Sequence, residues 1–141
     1  PQFVCSTREL GCNSGSYDPQ RGPFCSFPLG GWERRARSFE LLLNPGGFEA
    51  LQWLEGSFGT VPEGAVEVCP STDIFVGRSR DGLGKVSKQH QALFVALEGV
   101  EVWYKWYQVL VVKRGPALVS ILDVSYNLSA ARESSRGSVV V

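Results

Sequence analysis

The sequence predicts an all-β module built from two copies of one unit, the first copy cut short. Three observations carry that expectation. The apolar residues fall in short runs rich in aromatic and aliphatic side chains, which is how strands read. Gly, Pro, Asn or Asp bound most of these runs at turn spacing. Blocks of residues also recur in the same order, as an internal repeat requires.

The strand-like runs are Phe39-Glu40-Leu41-Leu42-Leu43, Asp73-Ile74-Phe75-Val76, Ala92-Leu93-Phe94-Val95-Ala96-Leu97 and Tyr107-Gln108-Val109-Leu110-Val111-Val112. Turns are expected at Asn44-Pro45-Gly46-Gly47, Val61-Pro62-Glu63-Gly64 and Asp81-Gly82. Gly46 and Gly47 suit a tight reversal because they take positive φ at little cost. One stretch, from Phe48 to Glu55, has some helical character, but it is short and reads as strand or irregular chain.

The repeat emerges when Leu29-Gly30-Gly31-Trp32-Glu33 and Phe39-Glu40-Leu41-Leu42-Leu43 are set against Leu97-Glu98-Gly99-Val100-Glu101 and Tyr107-Gln108-Val109-Leu110-Val111. Gly31 matches Gly99 and Leu42 matches Leu110, each 68 residues on (31 to 99, 42 to 110). Glu33 matches Glu101 and Phe39 matches Tyr107 at the same spacing. Upstream, Phe3-Val4 matches Phe75-Val76 at a spacing of 72, a difference that loop length explains. Copy two spans 48–113, whereas copy one, within 1–47, matches only from the equivalent of Asp73 onward. By this comparison roughly 25 residues of the first copy are missing before Pro1. The missing segment is expected to be a separate cleaved N-terminal chain, to be supplied by a second protomer, or simply to lie outside the given sequence, since an unpaired sheet edge otherwise invites aggregation. A homo-oligomer is therefore expected. Residues 114–141 read as a C-terminal linker.

Composition limits the function classes. With 43% apolar residues over 141 positions, the chain has enough apolar surface for a core. Fourteen basic and fourteen acidic residues leave no net charge, so the electrostatic footprint of a nucleic-acid binder is missing. Arg34, Arg35 and Arg37 read as a solvated strand or loop face. The longest strong apolar run, Val109-Leu110-Val111-Val112, is strand-sized and not membrane-spanning. Pro1-Gln2-Phe3-Val4 has no basic region and no apolar core of a signal peptide, which suggests a mature product or a fragment.

Cys5, Cys12, Cys25 and Cys69 are separated by six, twelve and forty-three residues, which does not form paired zinc knuckles. No metal site is expected. Two disulfides fit better: three of the cysteines lie in a Gly-, Pro- and Ser-rich region too poor in apolar residues to hold itself together. Three pairings are open. Disulfides imply an oxidising, extracellular setting, and the sequon Asn127-Leu128-Ser129 agrees with secretion as a glycosylation acceptor.

Catalytic inventories fail. His90 is the only histidine and lies in the polar turn Lys88-Gln89-His90-Gln91, with no nucleophile motif nearby. Gly84-Lys85 is not a phosphate loop, because Val86 stands where Ser or Thr would hold magnesium and Ser79 where the first Gly belongs. No catalytic residue and no cofactor are expected. Trp103, Tyr104, Trp106 and Tyr107 would put aromatics on both faces of a strand, which points to burial rather than to a ligand surface.

The second copy resembles a known repeat. Trp53, Gly59-Thr60-Val61-Pro62-Glu63-Gly64-Ala65-Val66, Asp73-Ile74-Phe75-Val76-Gly77-Arg78, Gly82-Leu83-Gly84-Lys85-Val86 and Glu98-Gly99-Val100-Glu101 together look like the DM-nine repeat. Of the groups that carry it, the natterin-like one is closest. That match extends to Gly15-Ser16-Tyr17-Asp18-Pro19, Gly22-Pro23-Phe24-Cys25, Trp103-Tyr104-Lys105 and Asp123-Val124-Ser125-Tyr126-Asn127. The resemblance covers about residues 3 to 127.

It implies a compact antiparallel β module with pseudo-two-fold symmetry. It also implies a lectin-type role in defence or as a toxin, with mannose-type or other glycans as partners. In natterin-like proteins the module precedes an aerolysin-like pore-forming region, so membrane contact is expected only through such a region beyond Val141. A kininogen-cleaving protease, as natterins are described, is the least favoured reading. A structural module that binds another protein segment is the main alternative to a lectin.

The resemblance also supplies the carbohydrate-site candidates. Lys85 matches the lysine of the family's sugar-contacting Pro-Gly-Lys turn, with Leu83 in place of the proline. The family's aspartate after Pro-x-x-Ala-Val falls at Ser71, and Asp73 two residues on replaces it only if the loop shifts. Copy one has Ser16 or a neighbour where the lysine belongs, so one site per chain is expected. Glu101, like Glu33, is read first as a carboxylate that accepts backbone amides and pins a turn, and second as a ligand contact.

Overall fold

Twelve strands form one sheet in the computed structural model, which describes residues 1–45, 50–113, 124–128 and 138–139. They are β1 (Phe3–Thr7), β2 (Asn13–Tyr17), β3 (Cys25–Leu29), β4 (Trp32–Ala36), β5 (Glu40–Leu43), β6 (Ala50–Ser57), β7 (Ile74–Ser79), β8 (Gly82–Ser87), β9 (Ala92–Leu97), β10 (Val100–Tyr104), β11 (Trp106–Lys113) and β12 (Ser125–Leu128). All strand pairs are antiparallel. The four runs expected as strands correspond to β5, β7, β9 and β11. The doubtful stretch up to Glu55 is strand from Ala50 on, with Phe48 outside the described residues. Gly46, Gly47 and the boundaries at 47/48 and 113/114 touch residues that also lie outside them.

The strand order is β12-β5-β1-β2-β3-β4-β10-β9-β8-β7-β11-β6. It reads the same from either end once β12, β5, β1, β2, β3 and β4 are equated with β6, β11, β7, β8, β9 and β10. Registers agree with that equation. Cys5 faces Leu41 as Gly77 faces Val109, and Val4 faces Ser16 as Val76 faces Lys85. The sequence match of Phe3-Val4 with Phe75-Val76 is thus a match in space.

The missing early part of copy one is present at the other end of the chain. β12 pairs with β5 so that Tyr126 faces Leu42, as Trp53 of β6 faces Leu110 of β11. Val139 donates its N–H to the carbonyl of Leu42, and its own carbonyl accepts from the N–H of Val4, at 3.0 Å each. Val66 does the same between Leu110 and Val76, at 2.9 and 3.0 Å. Residues 125–128 and 138–139, expected within a linker, are therefore part of the sheet. The outer side of β5, for which the sequence reading sought a separate chain or second protomer, is covered by this chain's own β12.

The two halves meet where β4 pairs with β10 at Trp32 and Val100. Each half brings a two-residue hairpin to this seam, Gly30-Gly31 and Glu98-Gly99, all four at positive φ between 51° and 90°. That is the turn whose twist matches antiparallel strands. The sheet also closes across itself, with the Ser14 hydroxyl donating to the carbonyl of Gly84 at 2.8 Å.

Three apolar clusters fill the interior. One is shared, with Val4, Leu42 and Val139 against Val76, Leu83 and Leu110. The second belongs to the later half and holds Val86, Leu93, Tyr107 and Val109. The third belongs to the earlier half and holds Phe3, Tyr17, Phe39 and Leu41 around Cys5 and Cys25. The disulfides are Cys5–Cys25 and Cys12–Cys69. The first sits where the other half has Gly77 and Leu93, a pair whose side chain and bare Cα fill the same place. The second ties the loop before β2 to the loop before β7.

Candidate functional site

Lys85 does not lie on a turn. The hairpin between β7 and β8 closes at Arg80-Asp81, and Lys85 falls in the middle of β8, facing Val76 and Phe94 on its neighbours. It is only 8% exposed. Its ammonium donates to the side-chain carbonyl of Asn13, a residue 1% exposed on β2 of the other half. Burial pushes the Lys85 pKa down, and the nearby Glu101 carboxylate pushes it back up in part. The Asn13 amide is held in turn by the carbonyls of Leu10 and Gly11, at 3.1 and 3.5 Å. An ammonium has three donors. Asn13 takes one, which joins β8 of the later half to β2 of the earlier half.

Glu101 and Glu33 stitch the seam in a reciprocal pattern. Glu101 Oε1 accepts from the Gly31 N–H at 3.1 Å, and Glu33 Oε1 accepts from the Gly99 N–H at 2.9 Å. Their own N–H groups donate to the carbonyls of Gly31 and Gly99, at 3.0 and 2.9 Å. Each carboxylate thus pins the turn of the opposite half.

The two seam environments differ in their cation. Register puts Ser16 where the later half has Lys85. The short serine leaves space, and a cavity of about 310 Å³ opens there, lined by Ser16, Arg21, Glu33, Asp81 and Glu98 among others. Arg21, from the loop between β2 and β3, replaces the missing ammonium by pairing with Glu33 at 2.9 Å. Burial raises the Glu33 pKa, but hydrogen bonds from the Ser26 hydroxyl and the Gly99 N–H, together with Arg21, outweigh it and hold the carboxyl below its ordinary value. Asn13 and Arg21 were not singled out in the sequence. Nothing local marks them, because their partners are 72 and 12 residues away.

Ser71 and Asp73 are exposed in the loop before β7, both at positive φ of 61° and 55°. Asp73 donates its N–H to Glu67 Oε2 at 3.0 Å and accepts from the Lys88 N–H at 3.2 Å. The loop is linked to Lys85 indirectly: Cys69 bonds Cys12, the chain neighbour of Asn13. No described hydrogen bond joins Ser71 or Asp73 to Lys85.

The remaining expectations fall in place as follows. Arg34 and Arg35 are exposed, Arg34 on the carbonyl of Leu29 and Arg35 over the Phe24 ring at 4.4 Å, and Arg37 is exposed as well. His90 is exposed in the β8–β9 turn with its ring edge-on to Phe94. Asn127 is exposed on β12, while Ser129 of its sequon lies outside the described residues, as does Asp123. The aromatic run is a correction. Tyr107 is buried, but Trp103 and Trp106 are 60% and 70% exposed. A bend at Lys105 ends β10 and restarts the alternation in β11, so the four residues never form one continuous strand.

The DM9 repeat profile matches residues 2–104, which spans the seam and both of its Gly-x-Glu turns. The chain belongs to the DM9 repeat family. This DM9 chain is 42% identical over 129 residues to natterin-3 of Thalassophryne nattereri, covering 92% of the chain and 34% of that protein. Natterin-4 and natterin-1 of the same fish are 36% and 34% identical, over 89% of the chain and 31% and 34% of their own lengths. The DM9 chain therefore spans about a third of the length of the curated relatives it matches.

Proposed function

We propose that this DM9 chain is a carbohydrate-recognition module of a secreted natterin-like protein, with its site at the seam between the halves. The observation that carries this reading is the buried Lys85 ammonium where the two halves meet. A buried ammonium, fixed by Asn13 and faced by Glu101, presents donors and acceptors in a set arrangement whose charges balance. Vicinal hydroxyls of a neutral sugar need that mixture. The two disulfides fit the oxidising environment of a secreted protein.

The test is binding of methyl α-D-mannopyranoside and a mixed glycan panel to the wild-type chain and to Lys85→Met. Binding by the wild type that weakens about tenfold or more in the variant supports the site. Folded wild-type protein that binds none of these glycans removes the reading.

A second reading, a module that assembles with another protein, has its own observation. Trp32 and Val100 face each other across the seam and are 59% and 42% exposed. Exposed apolar side chains paired on one sheet face suit a protein contact.

A further inference from the structure

A cleft lies away from Lys85, along β6, β7, β10 and β11. It encloses about 560 Å³ and is lined by Trp106, Tyr104, Gln108, Glu55, Arg78 and Arg80, among others. Its parts are held rigidly. The Phe58 ring meets Trp106 edge-on with centroids 5.1 Å apart, which fixes an indole that is otherwise 70% exposed. Arg78 stacks at 4.3 Å over the Trp53 ring and donates Nε–H to Gln108 Oε1 at 2.9 Å. The Tyr104 hydroxyl donates to Asp81 at 2.8 Å.

This set belongs to one half of the molecule only. By sequence spacing the equivalent positions in the other half are Ser38 for Trp106, Ala36 for Tyr104, Glu40 for Gln108 and Ser6 for Arg78, and Ser6 faces Glu40 as Arg78 faces Gln108.

We infer that this cleft is a second carbohydrate subsite, in which Trp106 stacks on a pyranose ring and Glu55, Gln108 and the two arginines bind its hydroxyls. The chemistry is amphipathic in the way a sugar is. An exposed indole offers an apolar face for ring C–H groups. Around it stand an acceptor-only carboxylate, donor-only guanidinium groups and an amide that does both. A phosphate or other strong anion would meet the Glu55 carboxylate as well as the arginines. The inference rests on the reading of this chain as a glycan binder but uses none of the residues of the Lys85 site.

The test follows the indole N–H signals of Trp32, Trp53, Trp103 and Trp106 by NMR during titration with methyl α-D-mannopyranoside, methyl β-D-galactopyranoside and methyl N-acetyl-β-D-glucosaminide. One of these sugars is expected to shift the Trp106 signal in the wild type and in Lys85→Met alike. For that sugar Trp106→Ala raises Kd about tenfold, and Trp106→Phe recovers part of the loss. The buried-side Trp53 signal reports that each variant is folded. Shifts confined to residues around Lys85, or unchanged affinity in Trp106→Ala, overturn the cleft and leave the Lys85 site standing. A Trp106 response with no effect of Lys85→Met on any sugar upholds the cleft and removes the Lys85 site. If no sugar moves any signal, both fall.

Discussion

Glu33 shows how much one residue does at the seam. Its carboxylate accepts from Ser26 at 2.5 Å, from the Gly99 N–H and from Arg21, and only 6% of its side chain is exposed. Because its pKa is depressed in the folded state, the stability it adds is present above the ordinary carboxylate value of 4.5 and is lost as pH falls through the lower folded value. Glu33→Gln is expected to cost about 1.5 kcal/mol at neutral pH, from the loss of charge-assisted hydrogen bonds. Urea midpoints measured from pH 3 to 7 should fall less steeply on the acid side in the variant than in the wild type. Lys85 has the same sign in a more alkaline window. Its pKa is lowered, so the unfolded chain binds more protons just below the ordinary lysine value of 10.5. Stability from this residue therefore rises with pH through that window. Lys85→Met should abolish the rise, although it leaves the Asn13 carbonyl without its ammonium donor.

Among the elements, β2 and β8 carry the closest approaches. A Cβ on Gly84 would lie 1.9 Å from the carbonyl oxygen of Phe94, and one on Gly15 would lie 1.8 Å from that of Ser26. Both contacts are with neighbouring strand backbone, which cannot rotate away. Gly84→Ala should therefore cost about 3 kcal/mol, at the upper end of overpacking effects, and a thermal melt will show it as a lowered Tm. An unchanged Tm would mean that β8 and β9 separate more easily than their register suggests. β5, β7, β9 and β11 were legible in the sequence as short apolar runs closed by turn residues, whereas β2 (Asn13-Ser14-Gly15-Ser16-Tyr17) and β4 (Trp32-Glu33-Arg34-Arg35-Ala36) carry no such run. The exposure of Trp103 and Trp106 was not legible, since it depends on a bend at Lys105 that no Gly or Pro announces. Nor was the burial of Lys85: Gly84-Lys85 looks like a turn, yet the reversal happens at Arg80-Asp81, and the strand stacked on Lys85 comes from 72 residues earlier. The two disulfides were foreseeable from cysteine spacing, but the pairing was not, because Cys12–Cys69 joins loops that only the closed sheet brings together.

For the molecule as a whole, the repeat was visible in the sequence but its closure was not. Val124-Ser125-Tyr126-Asn127 shares little side-chain identity with Leu51-Gln52-Trp53-Leu54. Their equivalence lies in backbone pairing alone, Tyr126 on Leu42 and Trp53 on Leu110. In this open order of strands, from β12 to β6, β12 completes the first unit, and besides the shared core and the Ser14–Gly84 and Lys85–Asn13 hydrogen bonds two further links hold the halves together. One is the Glu33–Glu101 exchange at the seam. The other is Cys12–Cys69, which closes a 57-residue loop and should contribute about 4 kcal/mol by the loop-entropy relation. A chain truncated after Lys113 tests this completion directly. It loses the strand on the outer side of β5, the Val139 hydrogen bonds to Leu42 and Val4, and the Val139 side chain from the shared core. The freed edge of β5 then presents unpaired N–H and C=O groups beside Leu41 and Leu42, a template for another strand. The truncated chain should melt well below the full chain and form dimers or aggregates by light scattering. A separate peptide covering 114–141, added in trans, should restore the monomer and much of the Tm. A truncated chain that stays monomeric with the Tm of the full chain would show that β12 adds nothing to the first unit.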